Sequence, residues 1–100
     1  MEERLKYIIN HYGIDKQLKY IHTEYFELDE AILKHLNADY LTNEESRYSN
    51  LENIAGEIAD IMVMLKQFQY RFGIPDSKIE EIMNYKIDRQ INRINESEGQ

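Results

Sequence analysis

The sequence predicts an all-α protein, a helical bundle of about four helices that is completed by oligomerisation. No stretch alternates apolar and polar residues over the length of a strand, and no hairpin turn signal appears. One proline and four glycines in 100 residues leave room for long uninterrupted helices. Because a chain of this length buries only a limited core, we expect it to associate with further copies of itself.

Glycine and capping residues predict the boundaries of the first two helices. The first helix begins at Glu2 and carries an apolar side that ends at Tyr12. Gly13 follows and is suited to end it, because glycine readily adopts the left-handed backbone found after helices. Asp15 is expected to cap a second helix that runs to about Leu36.

A polar segment separates the second helix from the third. Residues 37–50, "NADYLTNEESRYSN", are expected to form a loop. Ser49 and Glu52 have the spacing of a capping box, in which each side chain hydrogen-bonds a backbone N–H at the helix start. The third helix is therefore expected to begin there, to run to Phe72 and to stop at Gly73.

A second capping box predicts the start of the last helix. Ser77 and Glu80 have the required spacing and follow the turn at Pro75. The fourth helix is expected to reach roughly Asn95, which leaves residues 96–100 as a frayed tail. Residues 1–95 are thus interpreted as one domain.

Composition excludes several classes of function. The formal charge of −7 argues against a nucleic-acid partner, since nucleic-acid binders present a basic face. The chain has no cysteine, which excludes disulfides and thiolate metal sites. The beginning, "MEERLKYIIN", has no hydrophobic signal core, and no apolar run is long enough to span a membrane. We therefore expect a cytoplasmic protein without a membrane partner.

An acid pair lies within the apolar part of the third helix. Glu57 and Asp60 are three residues apart in "NLENIAGEIADIMVMLKQF". At about 100° per residue, Ile61 and Ile54 lie roughly 40° and 60° from Glu57 on one side, and Asp60 lies about 60° away on the other. Glu57 is therefore inside the apolar arc and Asp60 is at its edge. Burying such carboxylates is unfavourable unless they have a partner.

The second helix repeats this arrangement with Glu24 and Glu27. If the two helices pack as an antiparallel pair, their inward faces bring four carboxylates together, and these repel one another. Divalent cations neutralise such a cluster most simply, and carboxylates are the ligands that Mg²⁺ or Mn²⁺ prefers. A single pair of this kind is common on solvated helix faces, but two pairs in the same phase favour a metal site. A di-iron site is disfavoured, because it requires Glu-x-x-His motifs that the chain lacks.

The two motifs, Glu24-x-x-Glu27 and Glu57-x-x-Asp60, carry a family resemblance. With "EL" closing the first motif and "GEIADIMVML" around the second, residues 16–93 resemble the MazG-like all-α nucleoside triphosphate pyrophosphohydrolases. The resemblance implies hydrolysis of a nucleoside or deoxynucleoside triphosphate to the monophosphate and pyrophosphate. It also implies Mg²⁺ held by the four acids, a role in nucleotide-pool housecleaning, and a homodimer or homotetramer in which helices of two chains build one bundle.

The expected chemistry assigns further roles. Glu24 and Glu27 are both candidates for the general base that takes a proton from the attacking water. Three cations lie on or beside the apolar arc of the fourth helix and are candidates for binding the substrate phosphates; they are Lys86, Arg89 and Arg93. The alternative function is a non-enzymatic helical interaction module whose acidic pairs are structural or bind a basic partner.

Overall fold

A computed structural model describes residues 1–37 and 43–99 and confirms the all-helical fold for these residues. Its four helices are α1 (Glu2–Tyr12), α2 (Ile14–Leu36), α3 (Glu44–Arg71) and α4 (Asp76–Glu98), and the described residues contain no strand. Within these ranges, no helix combines the length and the apolar character that crossing a bilayer requires.

A single glycine separates α1 from α2. Gly13 has φ of 92° and donates its N–H to the carbonyl of Ile9 at 2.8 Å, as predicted for the end of the first helix. The prediction that Asp15 caps α2 is wrong, because α2 begins at Ile14 without a side-chain cap. Gly13 turns the chain within one residue, so Asp15 lies in the first turn, where the helix dipole favours an acid.

The third helix begins earlier than predicted. α3 starts at Glu44, so residues 44–50 of the predicted loop are helical and the expected capping box at Ser49 lies inside the helix. Asn43 is the cap instead, and its side-chain oxygen accepts the N–H of Ser46 at 2.8 Å. Asn50 in this added stretch is buried and donates to the carbonyl of Ala31 at 3.4 Å. Residues 38–42 of the predicted loop lie outside the described part of the chain.

Helices α2 and α3 pack as an antiparallel pair, with α1 against both. At one end of the pair, the Gln17 side chain donates a hydrogen bond to Gln67, which is 50 residues away in sequence. At the other end, Asn50 donates to Ala31, which is only 19 residues away, so the two helices run in opposite directions. The buried apolar residues of this three-helix unit are Leu5, Ile9, Ile21, Ala31, Ile61, Met64 and Tyr70.

The single chain covers only part of the apolar arcs that were predicted to face inward. Ile21 and Ile61 are buried, whereas Ile32 and Leu65 are 38% and 47% exposed. The partly exposed residues recur every seven positions on both helices, which is the spacing of helices that pack side by side in bundles. We call this surface the heptad face; its residues are Leu18, Tyr25 and Ile32 on α2 and Leu51, Ile58 and Leu65 on α3.

Helix α4 projects away from the other helices. None of its residues is buried, and among the described residues it packs against no other helix beyond the turn that begins it. The Cα radius of gyration is 17.6 Å, larger than the roughly 13 Å of a compact chain of this length. An apolar stripe along α4 is therefore exposed; it consists of Met83, Ile87, Ile91 and Ile94.

The turn between α3 and α4 is held by Asp76. Its carboxylate accepts hydrogen bonds from the side chains of Gln69 at 2.8 Å, Tyr70 at 2.8 Å and Lys66 at 3.0 Å. The predicted capping box is absent: Pro75 is the N-cap, and no side-chain cap bond forms. The helix also continues to Glu98, three residues past its predicted end at Asn95. The Asp76 contacts define the direction in which α4 leaves α3.

Replacing Asp76 with asparagine should lower the melting temperature at pH 7 by a few degrees. The three hydrogen bonds lower the pKa of Asp76 from 3.8 to about 2, and the bond from Gln69 contributes most. A carboxylate with a depressed pKa stabilises the fold above its unfolded-state pKa, and this stability is lost as the pH falls from 3.8 towards about 2. Thermal melts of the wild type and the variant at pH 7 and pH 2 measure this contribution to stability. The difference between wild type and variant should be present at pH 7 and shrink at pH 2.

Glu80→Gln is the control, because this acid is exposed on the same helix. Equal melting temperatures for Asp76→Asn and wild type at pH 7 would contradict a stabilising role for the turn.

Candidate metal centre

Three carboxylates converge in the middle of the α2–α3 pair. One oxygen each from Glu24, Glu57 and Asp60 lies within 4.8 Å of the others. The antiparallel register produces this arrangement, because it sets one turn of α2 directly opposite one turn of α3. Glu24 is buried at 4% exposure, Glu57 is half-buried and Asp60 is exposed, so the cluster opens from the helix interface to the surface.

Glu27, the fourth predicted acid, lies near Glu57 of the facing helix. Burial is the main cause that raises the pKa of Glu57, and repulsion from Glu27, Asp60 and Glu24 raises it further. Glu27 is exposed and is not one of the three residues whose oxygens converge within 4.8 Å. We refer to the four residues as the acid cluster.

Two oxygens of the acid cluster are buried and have no hydrogen-bond partner among the residues that the structure describes. These are Oε2 of Glu24 and Oε2 of Glu57. The ion pairs of the described residues involve other acids, such as Asp76 with Lys66, so none of these residues forms an ion pair with the cluster. An unpaired buried carboxylate is unfavourable. The oxygen-only ligand set, its spacing and its free lone pairs fit a hard divalent cation such as Mg²⁺ or Mn²⁺.

Tyr20 is a neighbour of the cluster that the motif analysis did not include. A hydrogen bond with Glu24 is the main cause that raises the pKa of the Tyr20 phenol, and the charges of Glu24, Glu27 and Asp60 contribute. Tyr20 precedes Glu24 by four residues, one helical turn, so helical spacing could have indicated it. Its phenol can orient the Glu24 carboxylate.

Two buried glutamines next to the cluster were also missed. Gln17 and Gln67 are 6% and 1% exposed and line a cavity of about 500 Å³ that includes Glu24 and Asp60 in its wall. Gln17 lies seven residues before Glu24, and Gln67 lies seven residues after Asp60. Polar residues in phase with the acids were the available signal, since residues seven apart share one helix face.

The cations predicted to bind phosphate lie elsewhere within the chain. Lys86, Arg89 and Arg93 are exposed on α4, which contacts neither α2 nor α3 beyond the turn at Asp76. Arg89 lies over the Tyr85 ring at 5.9 Å, on α4 itself. One chain alone therefore does not bring these cations to the acid cluster.

Set against known proteins, the chain matches no protein-family model, no curated protein and no solved structure. The function is therefore inferred from the geometry and chemistry of the acid cluster, together with the resemblance of its two motifs.

Proposed function

We propose that the protein is a Mg²⁺-dependent nucleoside triphosphate pyrophosphohydrolase that hydrolyses an NTP or dNTP to the monophosphate and pyrophosphate. The convergence of Glu24, Glu57 and Asp60, with two buried oxygens left without partners, is the observation that supports it most. The resemblance of the two acid motifs to the MazG-like enzymes supports the choice of substrate. Such an activity would serve nucleotide-pool housecleaning in the cytoplasm.

The acid cluster divides into metal ligands and a base. Glu24, Glu57 and Asp60 would hold Mg²⁺ or Mn²⁺, with Glu27 available as a further ligand. A bound ion would offset the negative charge of the phosphates and would make a water molecule more acidic. Of the two candidate bases, Glu27 is better placed than Glu24, because it lies beside the converging oxygens and is exposed.

The resemblance to the MazG-like enzymes implies hydrolysis at the α-phosphorus. The oxygen of water forms a bond to phosphorus while the bond from phosphorus to the bridging α–β oxygen breaks. Glu27 takes the proton of the water, and pyrophosphate leaves with the bonding electrons. Tyr20 orients Glu24 through its phenol.

We further propose that the active form is a homodimer or homotetramer. The heptad face exposes apolar residues at a spacing suited to bundle formation, and α4 exposes a second stripe. Since α4 packs against no helix of the described residues of its own chain, it is free to pack against a neighbouring copy. Lys86, Arg89 and Arg93 on that helix would then approach the neighbour's acid cluster, where opposite charge favours them.

A magnesium titration followed by thermal melting tests the proposal. Ligands that bind only the folded protein raise its stability by mass action, so millimolar Mg²⁺ should raise the melting temperature by several degrees. Pyrophosphate release should then be detected with at least one member of a panel of ribo- and deoxynucleoside triphosphates. Na⁺ at matched ionic strength controls for general screening. No shift with Mg²⁺ and no pyrophosphate from any nucleotide would exclude the enzyme.

That negative outcome would favour the second candidate, a non-enzymatic helical interaction module. Its supporting observation is the amount of exposed apolar surface, which includes Leu51 at 50% and Ile87 at 50% exposure. In this case the acidic pairs would be structural or would bind a basic partner.

A further inference from the structure

The cavity beside the acid cluster is large and is formed by three helices. Its volume is about 500 Å³, within the range of roughly 300–1,000 Å³ typical of small-molecule sites. Ile8 and Tyr12 from α1, Gln17 from α2 and Gln67 from α3 contribute to its lining. Because its wall also includes Glu24 and Asp60, a ligand can occupy the cavity and reach the acid cluster at the same time.

A pair of buried amides lies in this cavity. The Nε2 of Gln17 donates to the Oε1 of Gln67 at 2.8 Å. Among the described residues, the Nε2 of Gln67 has the sulfur of Met64 as its acceptor, at 3.7 Å, and a thioether is a weak acceptor. Since burying amides with poor partners is unfavourable, this donor is suited to a stronger acceptor supplied by a ligand.

The rest of the cavity suits a flat heterocyclic ring. Tyr12 and Tyr20 supply aromatic side chains, and Ile8 and Val63 supply apolar surface. Aromatic and apolar walls with a few polar groups are the usual lining of a site for a small organic ligand. Lys16 also lines the cavity and lies over the Tyr12 ring at 4.9 Å.

We infer that this cavity receives the nucleoside part of the substrate, with the Gln17–Gln67 pair hydrogen-bonding the edge of the base. The inference rests on the proposed function, in which the phosphates extend to the acid cluster. It identifies the substrate class as nucleotides rather than inorganic polyphosphates, because tripolyphosphate leaves the cavity empty. It also makes the two glutamines the residues that distinguish one base from another.

The test replaces both amides at once. Exchanging both partners of a buried hydrogen bond for apolar groups of similar shape is close to neutral for stability, so Gln17→Leu/Gln67→Leu should fold. Isothermal titration with the nucleoside 5′-monophosphates in Mg²⁺ measures binding, and pyrophosphate release measures kcat and KM. The preferred nucleotide should bind about 10-fold more weakly or worse, and preference among bases should largely disappear. The shift in melting temperature with Mg²⁺ should change little, because neither glutamine is one of the converging acids.

A second pair of variants covers the case in which the double variant does not fold. Tyr12→Leu removes an aromatic ring from the cavity lining. Tyr7→Leu is the control, because Tyr7 lies on the same helix, is 74% exposed and does not line the cavity. Only the first should weaken nucleotide binding.

The outcomes separate this inference from the proposed function. The inference would be overturned if base preference and affinity were unchanged in the double-leucine variant. If that variant does not fold, unchanged values in Tyr12→Leu would overturn it. Neither result would contradict the proposed enzymatic activity. Nucleotide binding that the cavity variants weaken, without any Mg²⁺ shift or turnover, would support the cavity and reject the enzyme. If the wild type bound no nucleotide in saturating Mg²⁺, the inference would be wrong.

Discussion

Replacing Glu57 with glutamine should abolish pyrophosphate release while the helices stay folded. Glutamine keeps the size of the side chain but removes the charge that would hold the metal. The loss should exceed the roughly 10- to 100-fold that removal of an indirect metal partner costs, because we propose Glu57 as a direct ligand. Steady-state kinetics and circular dichroism measure the two parts of this prediction. Glu52→Gln, at an exposed position on the same helix, should keep wild-type activity.

The same variant should be more stable than the wild type when no divalent cation is present. Burial and the charges of Glu27, Asp60 and Glu24 raise the pKa of Glu57 above 4.5. A carboxyl group with a raised pKa contributes stability that is fully present below its unfolded-state value and is lost as the pH rises through its folded-state value. The metal-free wild type should therefore lose stability as the pH rises above 4.5, and Glu57→Gln should lose less.

Melting in EDTA across this pH range measures the effect, and adding Mg²⁺ should reverse the order of the two proteins. A variant that was less stable than wild type at pH 7 in EDTA would show that the carboxylate has a favourable protein partner. A variant with full activity would show that the site has been assigned to the wrong acid.

Mixing two inactive variants should restore activity if α4 acts on a neighbouring chain. One variant carries Glu57→Gln, and the other carries Lys86→Gln with Arg93→Gln. In a mixed dimer, one site would combine the intact acids of one chain with the intact α4 of the other. With random pairing at equal amounts, about half of the dimers are mixed, and each mixed dimer has one intact site of two. The mixture should therefore reach roughly a quarter of the wild-type rate.

Light scattering should show that each variant keeps the oligomeric mass of the wild type, and the subunits should be exchanged under mild denaturation before the assay. Leu65→Asp on the heptad face should lower the mass and prevent the rescue. An inactive mixture of variants that do exchange would place the phosphate-binding cations within one chain or on other residues. Full activity of the Lys86→Gln/Arg93→Gln variant would show that these cations do not belong to the site.

The positions of the helices were largely predictable, and the errors have local causes. Gly13 and the turn after Arg71 end helices as expected, because glycine after an apolar helix is a strong local signal. The start of α3 was misplaced, since both Asn43 and Ser49 are good caps and the contact of Asn50 with Ala31 favours the longer helix. Choosing between two adequate caps depends on packing that a sequence pattern does not contain.

The candidate site was predictable in part. The acids of both motifs share a helical phase with apolar neighbours, and this periodicity is a property of the sequence alone. The cavity was not predictable, because Tyr12, Gln17 and Gln67 come from three helices. Their proximity depends on how α1 packs against the other two.

The sequence by itself determined that the chain is helical and that each of two helices carries an acid pair within its apolar arc, because these features depend on residues within a few turns of each other. Only the tertiary structure decided that the two motifs meet, that Glu27 lies near Glu57, and that α4 projects from its own chain. The register of two packed helices and the packing of a third are long-range properties. They depend on how complete surfaces fit, and helical periodicity does not encode that fit.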